Sequence, residues 1–471
     1  MVDNQQCLKK NSCVDLIETD MPTFKKKSFK LIILVNALFF SGYYIIKCPL
    51  AYILQKNGLD QVSSYSLAST ANIIFSFCSL IFGFTLKDFK TQKIALIIGV
   101  LLSGVSIGLL SVGNYFLTKL AITLYVLGGS LYFFSITLLV NKQFDDTHQR
   151  LKGNFIYQIF VNFGGFIGSF LFYLELNNSH LFLYEAAVCL ISFVLLIVNI
   201  KNIYDDKTSR SVMKRFFLLL SGLFCLIFLT LRYESSVRII TILFFFLAIL
   251  YIIYSSNKKK SYDLLKFIGL IFLFSVPYWM AYTFMYNEFF DFLSKDVDVI
   301  FGLSGNTLLL LNPAINMLFG LLTLTPLFLK IVSRHQYLNI GLFLLFFAFL
   351  LITVAVKYSV GGSINPIYPA FSVILYSIAE FLIQSTLNSS VSDLLKTPED
   401  QTIGLGMLRS SRAFSAAIAF YFMTYHEKTL AVHYSAHTEM QIAYYTYALF
   451  SVVLGVILML SISQSKKLLA T

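Results

Sequence analysis

The sequence predicts an all-α polytopic membrane protein with about fourteen spanning helices. Three observations predict it. Of 471 residues, 57% are hydrophobic and 13% charged, with a mean hydropathy of +0.75. That is more apolar surface than a soluble core absorbs. The apolar residues fall in long runs, and about 20 such residues cross a bilayer as a helix. The loops between runs alternate between strongly and weakly basic, the asymmetry that orients membrane spans.

The first run, about 30–55, holds Lys47 well inside it, two residues before Pro49. A lysine at that depth costs about 2.5–3.5 kcal/mol on insertion scales. It either snorkels to the interface or faces a solute pathway. Runs at about 66–86, 94–113, 116–140, 154–174 and 182–200 complete a first set of six. Lipid offers no water to satisfy backbone groups, so each run must be helical. A basic connection at 201–214 follows, then two plainly apolar runs at about 215–231 and 238–255. A helix apolar on every side has only lipid and neighbouring helices to bind, so this pair reads as scaffold. Six further runs follow, at about 264–290, 305–329, 338–356, 366–390, 402–425 and 441–463. Pro277 and Pro313 mark bends among them.

Lys25–Lys27, Lys87, Lys90, Lys93, Lys142, Arg150, Lys152, Lys258–Lys260, Lys330, Arg334, Lys466 and Lys467 mark one side of the membrane. The positive-inside rule makes that side cytoplasmic and puts both termini there. An even number of spans agrees. The expected organisation is a tail at 1–28, a six-helix bundle at 29–203, a linker with two extra transmembrane helices at 204–260, a second bundle at 261–464 and a tail at 465–471. Two six-helix halves meeting around a midplane site, with two helices between them, is the major facilitator architecture.

Other classes find little support. The net charge of +12 sits in short loops, where it meets anionic lipid headgroups and carries no nucleic-acid reading. The six cysteines are scattered, and no group of His, Cys, Asp or Glu has metal-ligand spacing. His433 and His437 are four apart without a third ligand nearby. No nucleophile, paired-carboxylate or phosphate-loop constellation appears, so an enzyme is not expected and no cofactor is implied. A sensor or scaffold would normally bring a soluble domain, and the short tails offer none. Residues 1–28 lack the pattern of a signal peptide.

Several stretches carry a family resemblance. Tyr44-Ile-Ile-Lys47 resembles a Tyr-Gly-Met-Arg segment, and Gly83-Phe-Thr-Leu-Lys-Asp88 a degenerate loop between spans two and three. Asn162-Phe-Gly-Gly-Phe-Ile-Gly168 is similar to Asn-x-Gly-x-Phe-x-Gly of a fifth helix. Leu311-Asn312-Pro313 and Tyr376-Ser-Ile-Ala-Glu380-Phe resemble segments of an eighth and a tenth. Their order and spacing, with the six-two-six layout, resemble bacterial members of the proton-dependent oligopeptide transporter family within the major facilitator superfamily. The departures are equally specific. Asn36, Phe39 and Phe40 stand where that family has its Glu-x-x-Glu-Arg motif. Phe133 replaces a fourth-helix lysine, and Thr283-Phe284 an acidic-Gln pair of the seventh helix.

The resemblance implies a secondary carrier for di- and tripeptides in the cytoplasmic membrane of a bacterium, a monomer with an altered proton linkage. The alternative is a carrier of amino acids or another small zwitterion or organic anion, running as an uncoupled uniporter. Lys47 aligns with a carboxylate-binding arginine, Glu380 with an amine-binding glutamate, and Asn162 and Asn312 with amides near substrate. Tyr43, Tyr44 and Trp279 are candidates to line the pocket, and Asp88 to form a cytoplasmic latch. Glu380 also stands out without the resemblance. It is the lone carboxylate between Pro366 and Ser390, and an intramembrane acid is a functional candidate. The competing reading for Glu380 is a structural ion pair with Arg409 or Arg412. Glu380 is the candidate proton carrier if transport is proton-linked.

Overall fold

The computed structural model describes residues 27–286, 311–325, 328 and 333–469, apart from breaks at 48–49, 57, 87–88, 113, 175–179, 204–209, 232, 260, 359–363 and 434–438. The tail at 1–26 and Asp88 therefore lie outside the described residues, as does the side chain of Lys47.

The first half comprises α1 (Lys27–Lys47), α2 (Leu50–Lys56), α3 (Gln61–Thr85), α4 (Phe89–Leu110), α5 (Tyr115–Lys142), α6 (Thr147–Leu174) and α7 (His180–Ile203). Next come α8 (Arg210–Thr230) and α9 (Glu234–Lys259). The second half begins with α10 (Asp263–Leu270), which runs through a π-helical turn at Ile271–Ser275 into α11 (Val276–Tyr286). It continues with α12 (Leu311–Thr323), α13 (Arg334–Lys357), α14 (Ile367–Leu394), α15 (Pro398–His433) and α16 (Glu439–Leu469).

Ten of these segments are long and apolar enough to cross a membrane, among the described residues. The described apolar stretches of α1 and α12, Ser28–Tyr44 and Leu311–Thr323, are shorter. α15 does not meet that measure, although it is long enough. In α15 the reason is its two arginines and several serines, which face inward. Each of the fourteen runs read from the sequence nonetheless contains a described helix.

Burial separates centre from rim. In α5, 89% of the apolar window is buried, against 33% in α7 and in α9, so α5 is a core helix and the other two present side chains outward. Within the first half α1 packs on α6 and α7, and α4 on α5 and α7. A Cβ on Gly164 would collide with the Ala37 carbonyl and one on Gly168 with that of Ser41. These glycines let α1 and α6 touch backbone to backbone, as small residues do in membrane bundles. In the second half α13 packs against α14 and α16, and α11 against α15.

The halves meet along two seams, α3 with α15 and α6 with α12. On the first, a Cβ on Gly83 would lie 2.8 Å from the Thr402 carbonyl oxygen and 2.9 Å from the Gly406 Cα. The helix pair is closed there to backbone contact. At the same end, which carries the Lys- and Arg-rich loops, Asp393 of α14 is gripped by Arg150 of α6 and Arg334 of α13. Arg334 Nη2 also donates to the Thr147 carbonyl at 2.7 Å, and Asn141 Nδ2 to the Asn388 carbonyl at 2.8 Å. The basic end of the molecule is thus sealed by charge-assisted bonds between the two halves.

α9 is more than lipid-facing scaffold. It packs on both α3 and α15, with Phe245 stacked on Phe414 at 4.4 Å and Arg238 donating to Ser69 at 3.0 Å. It therefore spans the seam between the halves.

Candidate functional site

A cavity lies where the halves face each other, between the sealed basic end and the opposite ends of α1, α3 and α11. Phe40, Tyr44, Phe75, Phe133, Tyr157 and Gln158 border it from the first half, and Trp279, Glu380, Gln384, Arg409 and Arg412 from the second.

The wall around Trp279 comes from a break in helical register. Pro277 has no N–H to give, so the Leu273 carbonyl lacks its ordinary helical donor. The chain accommodates this with the π turn, in which the Val276 N–H reaches back to the Ile271 carbonyl. A hydroxyl–hydroxyl bond of 2.7 Å between Ser275 and Ser411 pins the turn to α15. Trp279 and Tyr282, one turn apart on α11, then lie beneath the guanidinium of Arg412. Their ring centroids are 4.8 Å and 5.0 Å from its central carbon.

Glu380 is 9% exposed and borders the cavity. Its Oε2 accepts from Asn312 Nδ2 at 2.9 Å and Asn316 Nδ2 at 3.3 Å. Asn316 Nδ2 is also 2.8 Å from Asn312 Oδ1 and 3.3 Å from Asn162 Oδ1. One amide group with two hydrogens thus serves three acceptors, and the network runs from α6 in the first half to α14 in the second. Asn162 Nδ2 in turn donates to the Gln158 carbonyl at 2.8 Å. Among the described residues Glu380 makes no ion pair, so the pairing with Arg409 or Arg412 is not formed. Arg409 instead donates from Nη2 to Thr137 Oγ1 at 2.7 Å and lies over the Phe133 ring at 5.9 Å.

The structure brings Tyr44, Trp279 and Glu380 to the cavity wall. Asn312 supports Glu380 directly, and Asn162 is joined to it only through Asn316. Tyr43 is 1% exposed, stacked on Tyr125 at 5.0 Å and on Phe39 at 5.9 Å, within the aromatic core behind the wall. Lys47 ends α1, but its side chain is outside what is described.

Several residues were missed by the sequence reading. Gln158, Asn316 and Gln384 each lie four residues from a residue already singled out, Asn162, Asn312 and Glu380. Four apart on a helix is one face, so a polar i, i+4 pair in an apolar span was the available signal. Arg409 and Arg412, three apart and mid-span, carried the same signal and were read from the sequence only as ion-pair partners of Glu380. A second buried acid was also missed. Glu185 of α7 is 3% exposed and accepts from Ser41 at 3.2 Å, outside the cavity lining. Among the described residues no three His, Cys, Asp or Glu side chains cluster as metal ligands do.

No curated protein matches the sequence. A family model described as Major Facilitator Superfamily matches residues 32–420. Solved structures share the fold. One is a bacterial homologue of the human drug peptide transporters, with a TM-score of 0.70 at 16% identity, covering 93% of this chain and 97% of that one. A second is a mutant of a peptide transporter, POT, in complex with alafosfalin, at 0.71 and 19%, covering 95% and 96%. A third is a POT family transporter in complex with a thioalcohol-conjugated peptide, at 0.67 and 20%, covering 94% and 96%.

Proposed function

The chain belongs to the Major Facilitator Superfamily, and from that premise we propose that it is a multi-pass carrier of the peptide-transporter type, moving di- and tripeptides by alternating access. One observation carries the reading. Glu380 sits at the wall of a cavity between the halves, held by amides and, among the described residues, by no cation. An ionised carboxylate in such a place is a ready partner for a solute ammonium. The shared fold with solved peptide transporters supports the same class. Alternating access then requires the seal around Asp393 to open as the far side closes.

A second reading, uncoupled transport of amino acids or other small zwitterions, is favoured by the state of α1. Asn36 accepts from the Tyr132 hydroxyl at 3.1 Å, Phe39 stacks on Tyr132 at 3.6 Å, and Phe40 borders the cavity. None of the three can carry a proton across.

The test is uptake of labelled dialanine by the purified protein in liposomes, with and without an inward proton gradient. Accumulation driven by the gradient is expected of a coupled peptide carrier, and equilibration without accumulation of an uncoupled one. Glu380→Gln should abolish uptake, and wild-type uptake in that variant would remove Glu380 from the mechanism. Absence of dialanine uptake in the unaltered protein overturns the peptide reading.

A further inference from the structure

The cavity wall carries two cations and one anion, and they are not paired with one another. Arg412 makes no hydrogen bond among the described residues. Its guanidinium lies over the rings of Trp279 and Tyr282. Arg409 has one bond, to Thr137, and its Nε is buried without a partner. Arginine does not shed its proton in a protein, so neither charge can be neutralised that way. A cation held against low-dielectric walls needs a counter-charge. The one acid on this wall, among the described residues, is Glu380, and its Oε2 is already taken by two amides. A guanidinium lying over aromatic rings spends none of its N–H groups on them and keeps them free to fork onto a carboxylate. Arg409 and Arg412 are three apart on α15 and so present their charges on one side of that helix.

We infer that Arg409 and Arg412 form the oxyanion end of the cavity and take the carboxylate of the carried solute. This rests on the reading of Glu380 as the partner of the solute's ammonium. Both charged ends of the solute are then held by the second half of the molecule, on α14 and α15. The first half supplies aromatic and amide surface through Phe40, Tyr44 and Gln158. The described lining is net positive, so zwitterionic and acidic solutes bind in preference to cationic ones.

The chain contains a single tryptophan, Trp279, and it lies under Arg412. Its fluorescence therefore reports on this site directly. The experiment titrates the purified full-length protein with dialanine, dialanine amide, N-acetyl-dialanine, glutamate and succinate, following Trp279 emission. Dialanine is expected to bind at least about tenfold more tightly than its amide, which differs only in lacking the carboxylate. Arg412→Gln and Arg409→Gln should bring that ratio close to one, and Arg412→Lys should keep part of it. Elution volume and helical circular dichroism check that each variant is folded. Should the variants not fold, Lys47→Gln decides: an acid-to-amide ratio kept in that variant supports the arginine assignment, and a ratio close to one overturns it. Equal binding of acid and amide overturns the inference, as does a flat response to every carboxylate in the panel. Equal binding of dialanine and its N-acetyl form, with the amide still excluded, removes Glu380 as the amine partner and leaves the arginine assignment standing. A response to glutamate or succinate without one to dialanine likewise overturns the peptide reading alone.

Discussion

At Glu380 the carboxylate is oriented by side-chain amides from α12. Amide donors fix the position of the charge without cancelling it, which a salt bridge would do. Asn316 is central, since its Nδ2 reaches Glu380, Asn312 and Asn162. Replacing it by leucine removes all three contacts, and a hydrogen bond to a charged group is worth about 1.5–3 kcal/mol. Asn316→Leu is therefore expected to weaken dialanine binding by roughly tenfold or more, read from Trp279 emission. Unchanged affinity would mean that the network is structural only. Glu380 was legible in the sequence because a lone acid in an apolar span is costly and local. Its partners were not, because pairing depends on which faces of α6, α12 and α14 meet.

Helix α15 shows how an element's composition follows from its place. It is too polar to qualify as a span on hydropathy, yet it packs against α3, α9 and α11 and carries the two cavity arginines. Its serines and arginines are covered by protein rather than lipid, and burial in protein relaxes the apolar requirement. Helix α9 is the converse case. Only 33% of its apolar window is buried in the protein, but Phe245 is fully buried against Phe414 at 4.4 Å. An aromatic pair of this kind contributes about 0.5–1.5 kcal/mol beyond area burial. Phe245→Ala should lower the thermal midpoint by a few degrees while leaving uptake per folded molecule close to wild type. Lost uptake at unchanged stability would give α9 a part in transport that its packing does not predict.

Across the whole molecule, the two halves are tied together at the basic end and separated around the cavity. Asp393 is gripped by Arg150 and Arg334, with side-chain exposures of 6%, 12% and 17%. Removing one member of a shielded charge cluster leaves the others uncompensated, at a cost of about 3–5 kcal/mol. Asp393→Asn is therefore expected to favour conformers open at this end. Faster hydrogen exchange of backbone amides at 141–150 and 388–402 would show it. Unaltered exchange would mean that the Gly83–Gly406 contact alone keeps the end shut. The sequence reading put a latch at Asp88, outside the described residues. Arg150 and Arg334 were visible as loop charges that set topology. Their convergence on Asp393 joins positions more than 180 residues apart in the chain.

The chain alone predicted about fourteen spanning helices, their six-two-six order and an isolated intramembrane acid at Glu380. Each rests on local properties, namely run length, loop charge and the expense of an isolated acid in lipid. Only the tertiary structure decided that Glu380 is held by amides, that Tyr43 lies behind the cavity wall while Trp279 borders it, and that Arg409 and Arg412 supply the wall's described cations. Those outcomes depend on how helices rotate and which faces they turn to one another. A π turn at Ile271–Ser275 or a glycine contact between Gly83 and Gly406 decides that rotation.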